Sequence, residues 1–136
     1  MRGKTLFIMK RFTLCLVVFA IAVMLCACHR VHVNEAETVT LVFCNGETAV
    51  ETQLSEAESK QISEIFNGKT LYQDHPSCGF DRNVSLRVDG TIFCPALDGC
   101  CIVKDESSGM YFKITQAERD LIDSIFFAHG GQFPCI

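Results

Sequence analysis

A chain of 136 residues, 49% hydrophobic and 21% charged, has the length of one domain, too short for two ordinary cores and too apolar to stay disordered. Lys and Arg number 12 against 16 Asp and Glu, a net charge of −4; phosphate contacts need a basic face, so a general nucleic-acid binder is excluded. Nine cysteines are many for a cytosolic protein of this size and few for a knottin-like scaffold, so they must be divided by location.

Arg2, Lys4, Lys10 and Arg11 precede an uncharged, apolar run from Phe12 to Ala27, the pattern of a basic n-region followed by an h-region. As a helix this run spans about 24 Å, short of the ~30 Å hydrocarbon core, which favours an export signal over a permanent anchor. The run ends in Leu25-Cys26-Ala27-Cys28, and residues 1–28 resemble a bacterial lipoprotein precursor. The resemblance implies a lipobox formed by Leu25, Cys26 and Ala27, with Cys28 acylated on its thiol before the signal is removed. Cys26 departs from the usual residue at its position, which leaves plain secretion or a single N-terminal anchor as alternatives. The implied address is the extracytoplasmic face of the cell membrane, with the covalent lipid on Cys28 and no other cofactor expected.

With residues 1–27 removed, eight basic residues face sixteen acids, a net charge of −8. Such a surface repels anionic headgroups and would attract a basic protein or peptide partner. Residues 28–37 read as the lipidated cysteine and a polar tether, and 38–136 as a single cysteine-rich α+β domain. Six cysteines remain in it: Cys44, Cys78, Cys94, Cys100, Cys101 and Cys135. Outside the cytosol they read most simply as three disulfides, of open connectivity.

The elements follow in chain order. Val39, Leu41 and Phe43 alternate as a strand, Asn45-Gly46 predicts a type I′ turn, and the return runs from Glu47 to Leu54 with Thr48, Val50 and Thr52 on one side. Ser55 with Glu58 forms a capping box, and Ile62, Ile65 and Phe66 are the apolar stripe of a helix ending at Asn67-Gly68. A second hairpin turns at Asp89-Gly90, with Val88 opposite Thr91 and Leu86 opposite Phe93. Ile102 to Lys104 and Met110 to Ile114 flank a Ser107–Gly109 turn, and a last helix runs from Thr115 to about Ala128, stopped by Gly130-Gly131.

An offset of 60 residues superimposes Leu54-Ser55-Glu56-Ala57-Glu58 on Ile114-Thr115-Gln116-Ala117-Glu118, and Ile62, Ile65 and Phe66 on Ile122, Ile125 and Phe126. The fold expected is α+β, a largely antiparallel sheet with two helices on one face, compatible with two degenerate ββα units and an inserted hairpin. Phe43, Phe66, Phe93, Phe112 and Phe126 are the expected core aromatics.

Candidate chemistry is sparse. Cys78, Cys94, Cys100, Cys101 and His75 offer soft ligands for zinc or copper(I), but intervals of fifteen, five and zero residues are unlike the C-x₂₋₄-C knuckles of structural zinc sites. No C-x-x-C pair suits a thiol oxidoreductase, His129 reads as a helix C-terminal cap, and Asp81-Arg-Asn83-Val-Ser85 lacks the glycine and glutamate of a calcium loop. The function expected is that of a non-enzymatic protein- or peptide-binding or accessory module, of inhibitor or immunity kind. It would act through the 78–99 insert, with Phe80, Arg82, Arg87 and Leu97 as contact residues. Metal binding or thiol redox chemistry by the Cys78 to Cys101 cysteines is the first alternative, and a structural envelope lipoprotein the second.

Overall fold

The computed structural model describes residues 29–35 and 37–131. The signal, the lipobox residues Leu25, Cys26 and Ala27, Cys28 and Cys135 lie outside the described residues. The elements are β1 (Thr40–Asn45), β2 (Thr48–Gln53), α1 (Glu56–Phe66), β3 (Ser85–Val88), β4 (Thr91–Pro95), β5 (Ile102–Asp105), β6 (Met110–Lys113) and α2 (Gln116–Ala128). The strands form one antiparallel sheet in the order β2-β1-β3-β4-β5-β6. The protein is therefore α+β with an antiparallel sheet, as the alternation of its strands and the stripes of its two helices require.

One face of the sheet carries Leu41, Phe43, Leu86, Val88, Phe93, Val103 and Phe112, which share a core with Ile62, Ile65 and Phe66 of α1 and Ile122, Ile125 and Phe126 of α2. Phe66 sits at its centre, 4.9 Å from Phe93 and 5.2 Å from Phe112 between ring centroids, within the range favourable for tilted and edge-to-face aromatic contacts. The opposite face is not left to solvent. Val42, Ser85 and Cys94 point that way and are buried. There the chain between Tyr72 and Asn83 packs back on the sheet: Phe80 lies 5.4 Å from Tyr111, and the Cys44 thiol donates to the Asn83 carbonyl at 3.8 Å.

The first hairpin corrects the expected turn. Asn45 pairs with Thr48, so the two loop residues are Gly46 and Glu47, and Gly46 has the positive φ of +66°, glycine standing first as in a type II′ turn. The register shifts by two residues, an even number. Thr48, Val50 and Thr52 therefore keep the face expected of them, whereas a slip of one would have inverted it. The second hairpin forms as expected, with Leu86 opposite Phe93 and Val88 opposite Thr91; Asp89 (+49°) and Gly90 (+74°) both take the positive φ of a type I′ turn.

The two ββα segments share more than helix stripes. The Leu54 N–H donates to the Val39 carbonyl, and the Ile114 N–H to the Cys101 carbonyl, closing each hairpin just before its helix. Both capping boxes form, Ser55 with Glu58 and Thr115 with Glu118. Each capping glutamate is then bound from the far end of the other helix: Lys69 Nζ lies 2.7 Å from Glu118 Oε2, and His129 Nε2 lies 3.0 Å from Glu58 Oε1. Residues 69 and 129 are themselves 60 apart, so the exchange is reciprocal between the two segments.

The expected tether is part of the domain. Val31 and Val33 are buried in the core, and backbone bonds join Leu71 N–H to His29 O, Val31 N–H to Lys69 O and Gly68 N–H to Val31 O. Residues 29–33, expected in the tether, therefore pack and hydrogen-bond with the domain.

Candidate thiol and carboxylate site

The described cysteines lie in four different settings. Cys44 is exposed at the end of β1. Cys94, on the sheet face away from the helices, is fully buried, and burial, then the nearby Glu106, pushes its thiol up to about 12; a thiol held neutral in this way is a poor nucleophile and ligand. Cys101 directs its sulfur to Gln116 Oε1 at 3.4 Å. Cys78 and Cys100 come together, and with Asp98 their donor atoms all lie within 4.8 Å of one another.

Local backbone chemistry builds this meeting point. The Leu97 N–H donates to the Gly79 carbonyl at 2.9 Å, clamping the chain after Cys78 to the chain before Asp98, and the Leu97 side chain packs on Gly79. Asp98 then accepts the Cys100 N–H at 3.1 Å, an Asx turn through Gly99 at a φ of +84° that swings Cys100 back over the carboxylate. From beneath, the fully buried Arg119 donates through NH1 to the Ala96 carbonyl at 2.8 Å and the Cys100 carbonyl at 3.1 Å. The hydrogen bond to Cys100, then burial and the Asp98 charge, push the Cys78 thiol up to about 12, while the Cys100 amide and thiol hold the Asp98 carboxyl below its usual range.

The proposed ligand set of Cys78, Cys94, Cys100, Cys101 and His75 is thus reduced to Cys78 and Cys100. Asp98 joins them, which the cysteine spacing did not point to; the signal available was the Asp-Gly-Cys order of an Asx turn. His75 is exposed and is not among the clustered donors. The four expected contact residues differ in exposure. Phe80 is half-buried on Tyr111 of β6, Leu97 is half-buried against the core, and Arg87 of the interior strand β3 reaches Glu51 of the edge strand β2 at 2.8 Å. Arg82 alone of the four is exposed.

The two sheet edges differ. At β6, Tyr72 closes the edge with reciprocal bonds, Tyr72 N–H to Tyr111 O at 2.8 Å and Tyr111 N–H to Tyr72 O at 2.9 Å. At β2, no described residue pairs with the outer side. Because the Leu54 N–H points inward to Val39, alternation turns the N–H groups of Ala49, Glu51 and Gln53 outward, and all three residues are exposed. Among the described residues no helix is long and apolar enough to cross a membrane. Comparison with protein-family models, curated proteins and solved structures gives no match to this chain.

Proposed function

We propose that this protein is an extracytoplasmic lipoprotein, anchored through Cys28, that recognises an extended segment of a partner protein by adding it as a strand beside β2. The observation that carries the recognition reading is the open β2 edge. An unpaired edge is a template for another chain, and proteins that do not use one blunt it with charged side chains, proline, a bulge or a covering segment; the one charge on β2, Glu51, is engaged by Arg87. β2 has six residues in unbroken register with β1 and contains neither proline nor lysine. Its partner gains backbone hydrogen bonds from the edge and, given Glu47, Glu51 and the −8 of the chain after residue 27, is basic.

A proline at an outward-facing position removes a docking donor and leaves the pairing with β1 intact. A photo-crosslinking residue in place of Thr48, in the full-length protein expressed in its native envelope, should trap one basic partner. Ala49→Pro and Gln53→Pro should each lower that yield about tenfold, the loss of one well-made hydrogen bond and its neighbours. Trapping that is unchanged in both proline variants would remove β2 as the recognition edge.

A further inference from the structure

We infer that Cys78, Asp98 and Cys100 form a binding site for a thiophilic divalent cation, zinc above all, that fastens the 72–83 segment to the β4–β5 loop. The site stands independently of the β2 reading. Three donors from two separate chain segments lie within 4.8 Å of one another, near the spacing of donors around one tetrahedral ion with the ~2.0–2.3 Å bonds that zinc takes with thiolate and carboxylate. Two sulfurs exclude calcium and magnesium, which take oxygen donors.

The arrangement is held ready by bonds that do not involve the donors' own ligating atoms: the Gly79–Leu97 backbone clamp and the two hydrogen bonds from buried Arg119. Adjacent Cys100 and Cys101 cannot easily chelate one ion together, and the fold does not ask them to, since Cys101 turns to Gln116. Each ion that binds forms two metal–sulfur bonds and one metal–oxygen bond and releases two thiol protons to solvent. Thiolate is the ligating form, so affinity rises with pH as the ion displaces protons. Cys78 and Cys100 are half-buried and Asp98 is exposed, so the fourth coordination position opens to solvent and the ion exchanges with chelators.

The test uses the full mature protein, reduced, with zinc alone titrated against a chromophoric chelator and cobalt as the spectroscopic substitute. One zinc per chain, two protons released per ion, and thiolate-to-cobalt charge transfer with tetrahedral d–d bands are expected. Cys78→Ser and Cys100→Ser should each weaken zinc binding by about a hundredfold and Asp98→Asn by about tenfold, whereas Cys44→Ser and Cys101→Ser leave it unchanged. Binding that survives Cys78→Ser, or that falls equally with Cys101→Ser, would overturn the site. So would a Cys78–Cys100 disulfide in protein alkylated without reductant directly from its compartment. Circular dichroism of each variant separates a lost ligand from a lost fold.

Discussion

Arg119 is a fully buried cation whose position 60 residues earlier is occupied by Ser59, and the pair shows how one helix position can do one job with two chemistries. Ser59 Oγ accepts the Val39 N–H at 3.1 Å, just ahead of β1. Arg119 reaches further and donates to the Ala96 and Cys100 carbonyls, on the loop ahead of β5, while its Nε lies 2.7 Å from Asp123 Oδ1. Arg119→Met keeps most of the volume and strips both carbonyls of a charged donor. It should cost about 3 kcal/mol, read from the urea midpoint at unchanged slope, and should also weaken zinc binding at the Cys78–Cys100 site. A loss below about 0.5 kcal/mol would mean that water replaces the guanidinium without penalty.

At the scale of the element, α1 and α2 are each fixed at the N-terminus by a capping box and tied to the other helix by its glutamate. The hydrogen bonds from Ser55, aided by His129, hold the Glu58 carboxyl below the ordinary glutamate value of 4.5. Partial burial works against Glu118, but Lys69 and Thr115 outweigh it and its carboxyl is lowered as well. Both folded values lie below the unfolded ones, so the stability these groups contribute is complete above about pH 4.5 and is lost as pH falls through the folded values. The unfolding free energy should therefore drop on acidification below that pH, and the double variant Glu58→Gln, Glu118→Gln should flatten the drop. Ser55→Ala and Thr115→Ala should each cost about 1 kcal/mol at pH 7. An acid limb of equal slope in the glutamine variant would refute the assignment.

These helices were the most legible part of the chain because caps and stripes are local: cap, capping glutamate and buried face all lie within about a dozen residues of sequence. The second hairpin was legible for the same reason, since Asp89-Gly90 carries its own backbone preference. The first turn was misplaced because Asn45-Gly46 and Gly46-Glu47 both offer a glycine, and the choice depends on how β1 pairs with β3 as well as with β2. Val31 and Val33 do alternate, but two residues make no readable period, and only the pairing of 29–31 with 68–71 and their burial in the core mark them. The Cys78–Asp98–Cys100 cluster joins chain segments twenty residues apart through a backbone clamp that leaves no mark on composition.

For the whole molecule, the segment after residue 28 belongs to the folded body, since Val31 and Val33 are buried in its core and Val31 bonds to Gly68 and Lys69. Under the proposed acylation of Cys28, the packing of Val31 and Val33 into the core would leave the acidic body no long arm on which to stand off from the membrane. The proposed anchorage depends on the identity of residue 28 in the mature protein. The intact mass of the protein extracted from membranes tests it most directly: the predicted result is a chain that begins at Cys28 and carries acyl groups, and a chain of unmodified mass, or one that begins anywhere else, would contradict it.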